Sequence, residues 1–512
     1  MIAGTAPLAN VQDIYTRSAA NSPLRPNDLS TLRPGSARKL ERLLFLLFLF
    51  SLPLINPWVR GDGVGYYAFA RAPLIEHSLN FERDYQAANT SFREVRLDEN
   101  GLPRSVFRTR TGHLDNHFTI GPAMLWTPFL LLAHAAVLLA RAVGAHVAAD
   151  GFSAPYRIAM ALATALYGFL GLLLSVRLAR KYVDDRWVFL ATVSIWWATS
   201  LPVYMYFNPS WSHVHSAFAV ALFLWYWHET REQRTTYQWC ILAAITGLML
   251  NVYYANSMIL LVIVVEAFRQ YLAAARNPTG ADPTLRKLLT NHLLFGLIVL
   301  ICLLPTFITR AIIYGNAFES GYVPISHWLW NSPFLLAVLF SSNHGLFTWT
   351  PIALFAVAGL FLFWLREPRV GAPILIAALG FYIFIACYPD WAGISSYGNR
   401  FFISLTPLFV LGLSVLLDRL SKSFSSPRAA SAVASFFLAF LILWNMAFIF
   451  QWGTHLVPAR GPISWGEMIH NQFFVVPREI SAKAENYFLN RANLMRQIEE
   501  RDLEQLQKST TP

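Results

Sequence analysis

Long apolar runs recur from residue 43 almost to residue 450, separated by short polar or charged stretches. A helix needs about 20 apolar residues to cross a bilayer, and a run such as 289–309 is apolar on every face. A transmembrane barrel would instead alternate polar and apolar positions in segments of about ten. The pattern predicts an all-α polytopic membrane protein with about eleven spans, near 42–59, 157–178, 187–206, 212–228, 237–251, 255–271, 289–309, 346–365, 370–388, 402–420 and 429–450. The fifth and sixth meet at Asn251-Val252-Tyr253-Tyr254, which predicts a tight helical hairpin. The segment 118–140 contains no Asp, Glu, Lys or Arg, but Pro122 and Pro128 interrupt it. Because an internal Pro removes a hydrogen bond and kinks a helix, this segment is predicted as a broken helix that enters one leaflet and returns.

Loop charges orient the spans. Fifteen Lys or Arg follow residues 176, 228, 268, 365 and 418, against two in the alternating loops 207–211, 252–255, 310–345 and 389–401. The basic set is expected in the cytoplasm. The polar first 39 residues show no signal-peptide cleavage site, and the N-terminal tail, with six basic residues up to Arg42, joins the cytoplasmic set if 118–140 does not cross. The alternative, in which it crosses and the tail lies outside, puts 60–117 inside, where eight Arg are balanced by eight acidic residues. The non-crossing arrangement predicts a disordered cytoplasmic tail over 1–41, a membrane catalytic region over 42–450 and an external tail over 451–512. Within the membrane region, 60–141 forms a large first external loop with juxtamembrane helices, including an amphipathic stretch at 64–78. In the last segment Ile480, Ala484, Tyr487, Leu494 and Ile498 recur at helical spacing, which predicts an amphipathic helix resting on a surface or touching an acceptor.

Composition agrees. The chain has 512 residues, 55% hydrophobic and 13% charged, with mean hydropathy +0.42, whereas soluble domains carry about a quarter charged residues. The net charge of +11 is first a topology device in such a protein and does not indicate nucleic acid. Cys240, Cys302 and Cys387 all lie inside apolar runs, so they offer no disulfide framework.

Charged groups at the edges of these runs are the candidates for chemistry, since a charge at a bilayer edge is costly. Asp62, in Arg60-Gly61-Asp62-Gly63, follows the first span within a few residues. It reads either as a reactive carboxylate freed by flanking glycines or as a helix cap. His113, Asp115 and His117 alternate in His113-Leu114-Asp115-Asn116-His117. In an extended chain they would share one face, suiting a metal, a second acidic site or a polar collar, but no fourth ligand is evident. The external loops hold no Asp-x-Asp pair, so a cation bridging a diphosphate is not indicated. Two later loops are dense in polar and aromatic groups, 340–351 around His344 and 388–401 with Asp390, Tyr397 and Arg400. Arg400 is the single basic residue of its loop, either a snorkelling anchor or a phosphate ligand, which its planar fork suits. His213 and His215 read mainly as interfacial residues.

Three stretches resemble the GT-C class of integral membrane glycosyltransferases, which includes the protein O-mannosyltransferases and lipid A aminoarabinose transferases. They are the Asp62 loop at 58–68, His344-Gly-Leu-Phe-x-Trp-x-Pro, and Asp390-Trp-Ala-Gly followed by Ser396-Tyr-Gly-Asn-Arg400. The chain departs from the mannosyltransferase pattern in lacking an acidic doublet, because Gly63 follows Asp62, and it lacks the oligosaccharyltransferase Trp-Trp-Asp signature. The resemblance implies transfer of a sugar from a polyprenyl-phosphate donor to the hydroxyl of a glycan, lipid or protein acceptor outside the cytoplasm, with inversion and without metal or other cofactor. It assigns Asp62 as general base with Asp115 as the alternative. Arg400 becomes the phosphate ligand and His344 a second donor, with Asp390, Tyr397 and His117 in substrate contact. It implies a bacterial inner membrane protein with an outward-facing site. Two other classes fit the same pattern: a lipid-linked saccharide flippase or transporter, and a membrane polysaccharide polymerase or ligase.

Overall fold

A computed structural model describes residues 34–276 and 285–510. They form an integral, multi-pass, all-α protein with no β-strand among the described residues. The principal helices are α1 (Pro34–Ser51), α2 (Asp62–Glu76), α3 (Gly121–Ala142), α4 (Ala154–Ala179), α5 (Asp185–Trp197), α6 (His213–Thr230), α7 (Thr236–Val252), α8 (Leu261–Arg276), α9 (Leu285–Cys302), α10 (Leu304–Tyr314), α11 (Ile352–Arg366), α12 (Pro368–Cys387), α13 (Thr406–Ser421), α14 (Pro427–Gly453), α15 (Val476–Leu489) and α16 (Arg491–Thr510). Seven described helices are long and apolar enough to cross a membrane, and six of them coincide with predicted spans. The other five predicted spans fall on α1, α5, α6, α7 and α11, helices of 13 to 18 residues. The predicted tail loses its last residues to α1, which begins at Pro34. Pro is favoured in a first helical turn, where its missing N–H costs nothing. Residues 1–33 of that tail lie outside the described residues.

Polar contacts sort the helix ends into two sets. At one end Arg177 pairs with Glu41 at 3.1 Å, Tyr182 bonds His228 at 2.5 Å, and Arg366 reaches the Tyr182 carbonyl at 3.0 Å. At the other, Arg400 meets Asp62, Thr119 donates to the Val252 carbonyl at 2.7 Å, and Arg310 donates to the Asn116 carbonyl at 3.0 Å. Between these ends, small residues let helices approach closely, as membrane packing requires. A Cβ on Gly359 of α11 would lie 1.8 Å from the Gly412 carbonyl oxygen of α13.

Three expectations need correction. First, 118–140 is not broken: α3 is one continuous helix, with Pro122 in its first turn and Pro128 inside. Gly121 abuts the Asn251–Val252 backbone, Trp126 donates to Thr164 at 2.9 Å, and His134 bonds Tyr156 at 2.6 Å. It therefore lies antiparallel to the N-terminal half of α4, with its start beside the end of α7 at the Asp62 end. Second, 64–78 is not amphipathic, because Gly63 through Ala72 of α2 are all buried, making it a central helix wedged into the bundle. Third, α7 and α8 are tightly connected but splay apart, with α7 packing on α9 and α8 on α12.

The C-terminal tail forms two helices that break at Asn490, with φ −138° and ψ 45°. Tyr487 donates to the Leu54 carbonyl at 2.6 Å and Asn89 donates to Glu499 at 3.1 Å. Arg491 of α16 donates to the Ile55 carbonyl at 2.5 Å and Arg60 donates to Asp502, which lays α16 across the linker between α1 and α2.

Candidate active site

Asp62 and Arg400, 338 residues apart, meet with Arg400 Nη2 donating to Asp62 Oδ2 at 2.9 Å. Asp62 opens α2, after Gly61 with φ +52°. The flanking glycines are needed for close approach: a Cβ on Gly63 would sit 1.9 Å from Ser210 Oγ, and one on Gly61 3.2 Å from the Trp211 ring. Asp62 is thus in the first helical turn, where the helix dipole favours negative charge, and its carboxylate is engaged by Arg400. Arg400 begins the 3-10 turn Arg400–Leu405 that leads into α13. Its Nη1 donates to the Gly393 carbonyl at 2.8 Å, and its guanidinium lies 4.5 Å from the Trp211 ring centroid. Nε is buried and has no partner among the described residues. The guanidinium is therefore stacked and tethered, yet keeps a donor free.

This pair faces a cavity of about 240 Å³ that is also lined by Arg60, Asn89, Arg460 and Asp502. Asp502, on α16, accepts from Arg60 at 2.5 Å and bonds His455 at 2.8 Å. Burial alone would raise its carboxyl, but Arg60 and His455 outweigh that and hold it below the ordinary carboxylate value. Burial pushes the neighbouring Glu499 up. The C-terminal helix therefore walls the cavity, a role its charged sequence does not announce.

The other predicted residues are not gathered here. Asp115 accepts from Tyr314 and lies 3.4 Å from His117 Nδ1. Burial opposes its ionisation, but the hydrogen bonds from His117 and Tyr314 leave its carboxyl below the usual range. The His117 ring packs on Phe118 and Tyr322 with centroids 4.2 and 4.8 Å away. Neither lines the cavity. His113 turns to Thr111 at 3.1 Å instead of joining them.

His344 is fully buried at φ +61°. Its Nδ1 lies 2.7 Å from the Ala392 carbonyl, an acceptor, so Nδ1 carries the proton and Nε2 is a bare acceptor. Burial pushes it down to about 4. In this tautomer the ring presents Nε2, which has no partner among the described residues. Tyr397 is buried too, and donates to Asn445 Oδ1 at 2.8 Å, holding α14 against this loop and not touching the cavity. Asp390 is exposed and lies outside the cavity lining. His213 and His215 are core residues, not an interfacial belt: His213 sits among Tyr204, Trp211 and Tyr253, and His215 between Trp126 and Tyr167.

No protein-family profile matches the chain, and no curated protein matches it. Among solved structures it is similar to ArnT from Cupriavidus metallidurans bound to undecaprenyl phosphate, at 14% identity and a TM-score of 0.49. It is likewise similar to the apo state of that protein, at 14% identity and a TM-score of 0.48. In both cases 92% of this chain and 75% of the other are covered.

Proposed function

We propose that the protein is a GT-C-type glycosyltransferase that moves a sugar from a polyprenyl-phosphate donor to an acceptor hydroxyl, with inversion, at the extracytoplasmic face of a bacterial inner membrane. The observation that carries this reading is the Asp62–Arg400 pair at 2.9 Å on the wall of a cavity that Arg60, Arg460 and Asp502 also line, at one end of an apolar bundle against which a prenyl chain can lie.

Asp62 takes the acceptor proton as the acceptor oxygen attacks the anomeric carbon. The bond from that carbon to the phosphate oxygen breaks on the opposite face, and polyprenyl phosphate leaves with the electron pair. The donor is a phosphodiester with one negative charge, and the departing monoester carries up to two. Arg400 is attracted more strongly to phosphate as the bond breaks, which stabilises the transition state more than the ground state. As the guanidinium turns to the phosphate, Asp62 Oδ2 gives up its hydrogen bond from Arg400 and is released to take the acceptor proton, so the two changes reinforce each other.

The direct test is to incubate purified protein with polyprenyl-phosphate sugars and follow release of polyprenyl phosphate. Release coupled to glycosylated acceptor supports the reading. Movement of an intact lipid-linked sugar across vesicles, with no bond cleavage and no dependence on Asp62, would establish a transporter.

Turnover should persist in chelator. Among the described residues no group of three or more His, Cys, Asp or Glu is placed to hold a metal ion, and a monophosphate donor can be served by Arg400 alone. Loss of activity in EDTA that added Mg, Mn or Zn restores would overturn this prediction.

Sidedness is also testable. With the basic helix ends in the cytoplasm, Thr5→Cys should resist a membrane-impermeant thiol reagent in intact cells and Asp98→Cys should react. The reverse pattern would put Asp62 in the cytoplasm and remove the extracytoplasmic mechanism.

A further inference from the structure

At the end of the bundle remote from Asp62, α1 and α14 pack on α5 and leave between them a cleft of about 750 Å³. Phe189 and Leu190 form its floor, and Leu40 and Leu43 line the α1 side. Lys39, Arg186 and Arg428, one from each helix, stand around it. Arg186 is held in place by Ser431 Oγ at 3.0 Å and the Pro427 carbonyl at 3.4 Å. Neither Lys39 nor Arg428 pairs with a carboxylate among the described residues. The acid of the cleft, Asp185, is engaged by Arg180 at 2.5 and 3.2 Å. The rim is therefore cationic, and the surface below it is apolar. Beyond the cleft α14 continues as an exposed apolar face carrying Val433, Phe436 and Phe440.

We propose that this cleft binds an anionic phospholipid of the leaflet opposite the candidate active site, with its phosphate among Lys39, Arg186 and Arg428 and an acyl chain along Leu43, Phe189 and α14. Charge complementarity selects the headgroup, because juxtamembrane cations draw anionic lipids while zwitterionic lipids give them no net charge to bind. The apolar floor selects a lipid over a free phosphate, which would leave Phe189 and Leu190 against water. Such a lipid bridges α1 and α14, which both pack on α5, and so steadies the helix that leads to Asp62. The site is independent of the sugar-transfer reading.

The test uses full-length protein in detergent, titrated with phosphatidylglycerol, phosphatidylcholine or inorganic phosphate. Retained lipid is read by native mass spectrometry, and the unfolding temperature is followed in parallel. Wild type should retain phosphatidylglycerol preferentially and gain thermal stability from it. Arg186→Gln with Arg428→Gln should lower that preference by about fivefold per cation removed, whereas the double Lys replacement should keep it. Ser435→Trp, which fills the cleft without changing charge, should also lose the lipid and covers the case in which the Gln variant fails to fold. Equal retention of the two lipids by wild type, an unchanged preference in the Gln and Trp variants, or equal stabilisation by inorganic phosphate would overturn the proposal.

Discussion

Asp62→Asn should reduce sugar transfer by about 100- to 10,000-fold, the range a general base contributes, while donor binding is retained. The swap preserves shape and removes basicity. Asn can still accept a hydrogen bond from Arg400, so the 2.9 Å contact can be replaced in kind and the loop should stay in place. The decisive comparison is kcat against donor affinity, measured on folded protein. Turnover near wild type would remove Asp62 as the base. That result would promote Asp115, whose carboxylate is bonded by Tyr314 and lies 3.4 Å from His117 and which does not line this cavity.

Arg400→Ala should lower transfer by roughly 100- to 1,000-fold, as loss of one preorganised donor to a developing charge does, and should weaken polyprenyl phosphate binding as well. Arg400→Lys should recover only part of either effect, since an ammonium cannot hold the Gly393 carbonyl and Asp62 with the fork geometry seen here, nor stack flat on Trp211. The alanine variant also leaves Asp62 without its partner. A binding measurement with polyprenyl phosphate alone separates these effects, because it reads the phosphate site without needing the base. Unchanged binding together with unchanged turnover would reduce Arg400 to an anchor.

Asp62 and Arg400 stood out in the sequence for the same local reason: each is a charge at the edge of a long apolar run, where a charge is costly. Their contact was not legible, because 338 residues intervene and no periodicity links them. Proximity in sequence was a poor guide inside the 388–401 loop. Gly393, Ile394 and Gly398 all have positive φ, so the chain has no regular alternation there. Consequently Arg400 reaches the cavity while Tyr397 enters the core and Asp390 remains exposed. His344 was noticed for its polarity among aromatics, but its tautomer is set by the Ala392 carbonyl, 48 residues away.

The sequence by itself determined that the chain is an all-α membrane protein, because unbroken apolar runs cannot be satisfied in a bilayer except as helices that bond their own backbones. It also marked the two ends of the bundle through the uneven distribution of Lys and Arg. Only the tertiary structure decided that Gly63 through Ala72 of α2 are buried on every side, that α3 runs unbroken through Pro128, and that the charged C-terminal helix walls the cavity through Asp502. Hydropathy records how much water a segment tolerates on average, whereas these outcomes depend on which neighbour each face meets. Asp502 looks like any solvated acid until Arg60 and His455, brought from other parts of the chain, are placed against it.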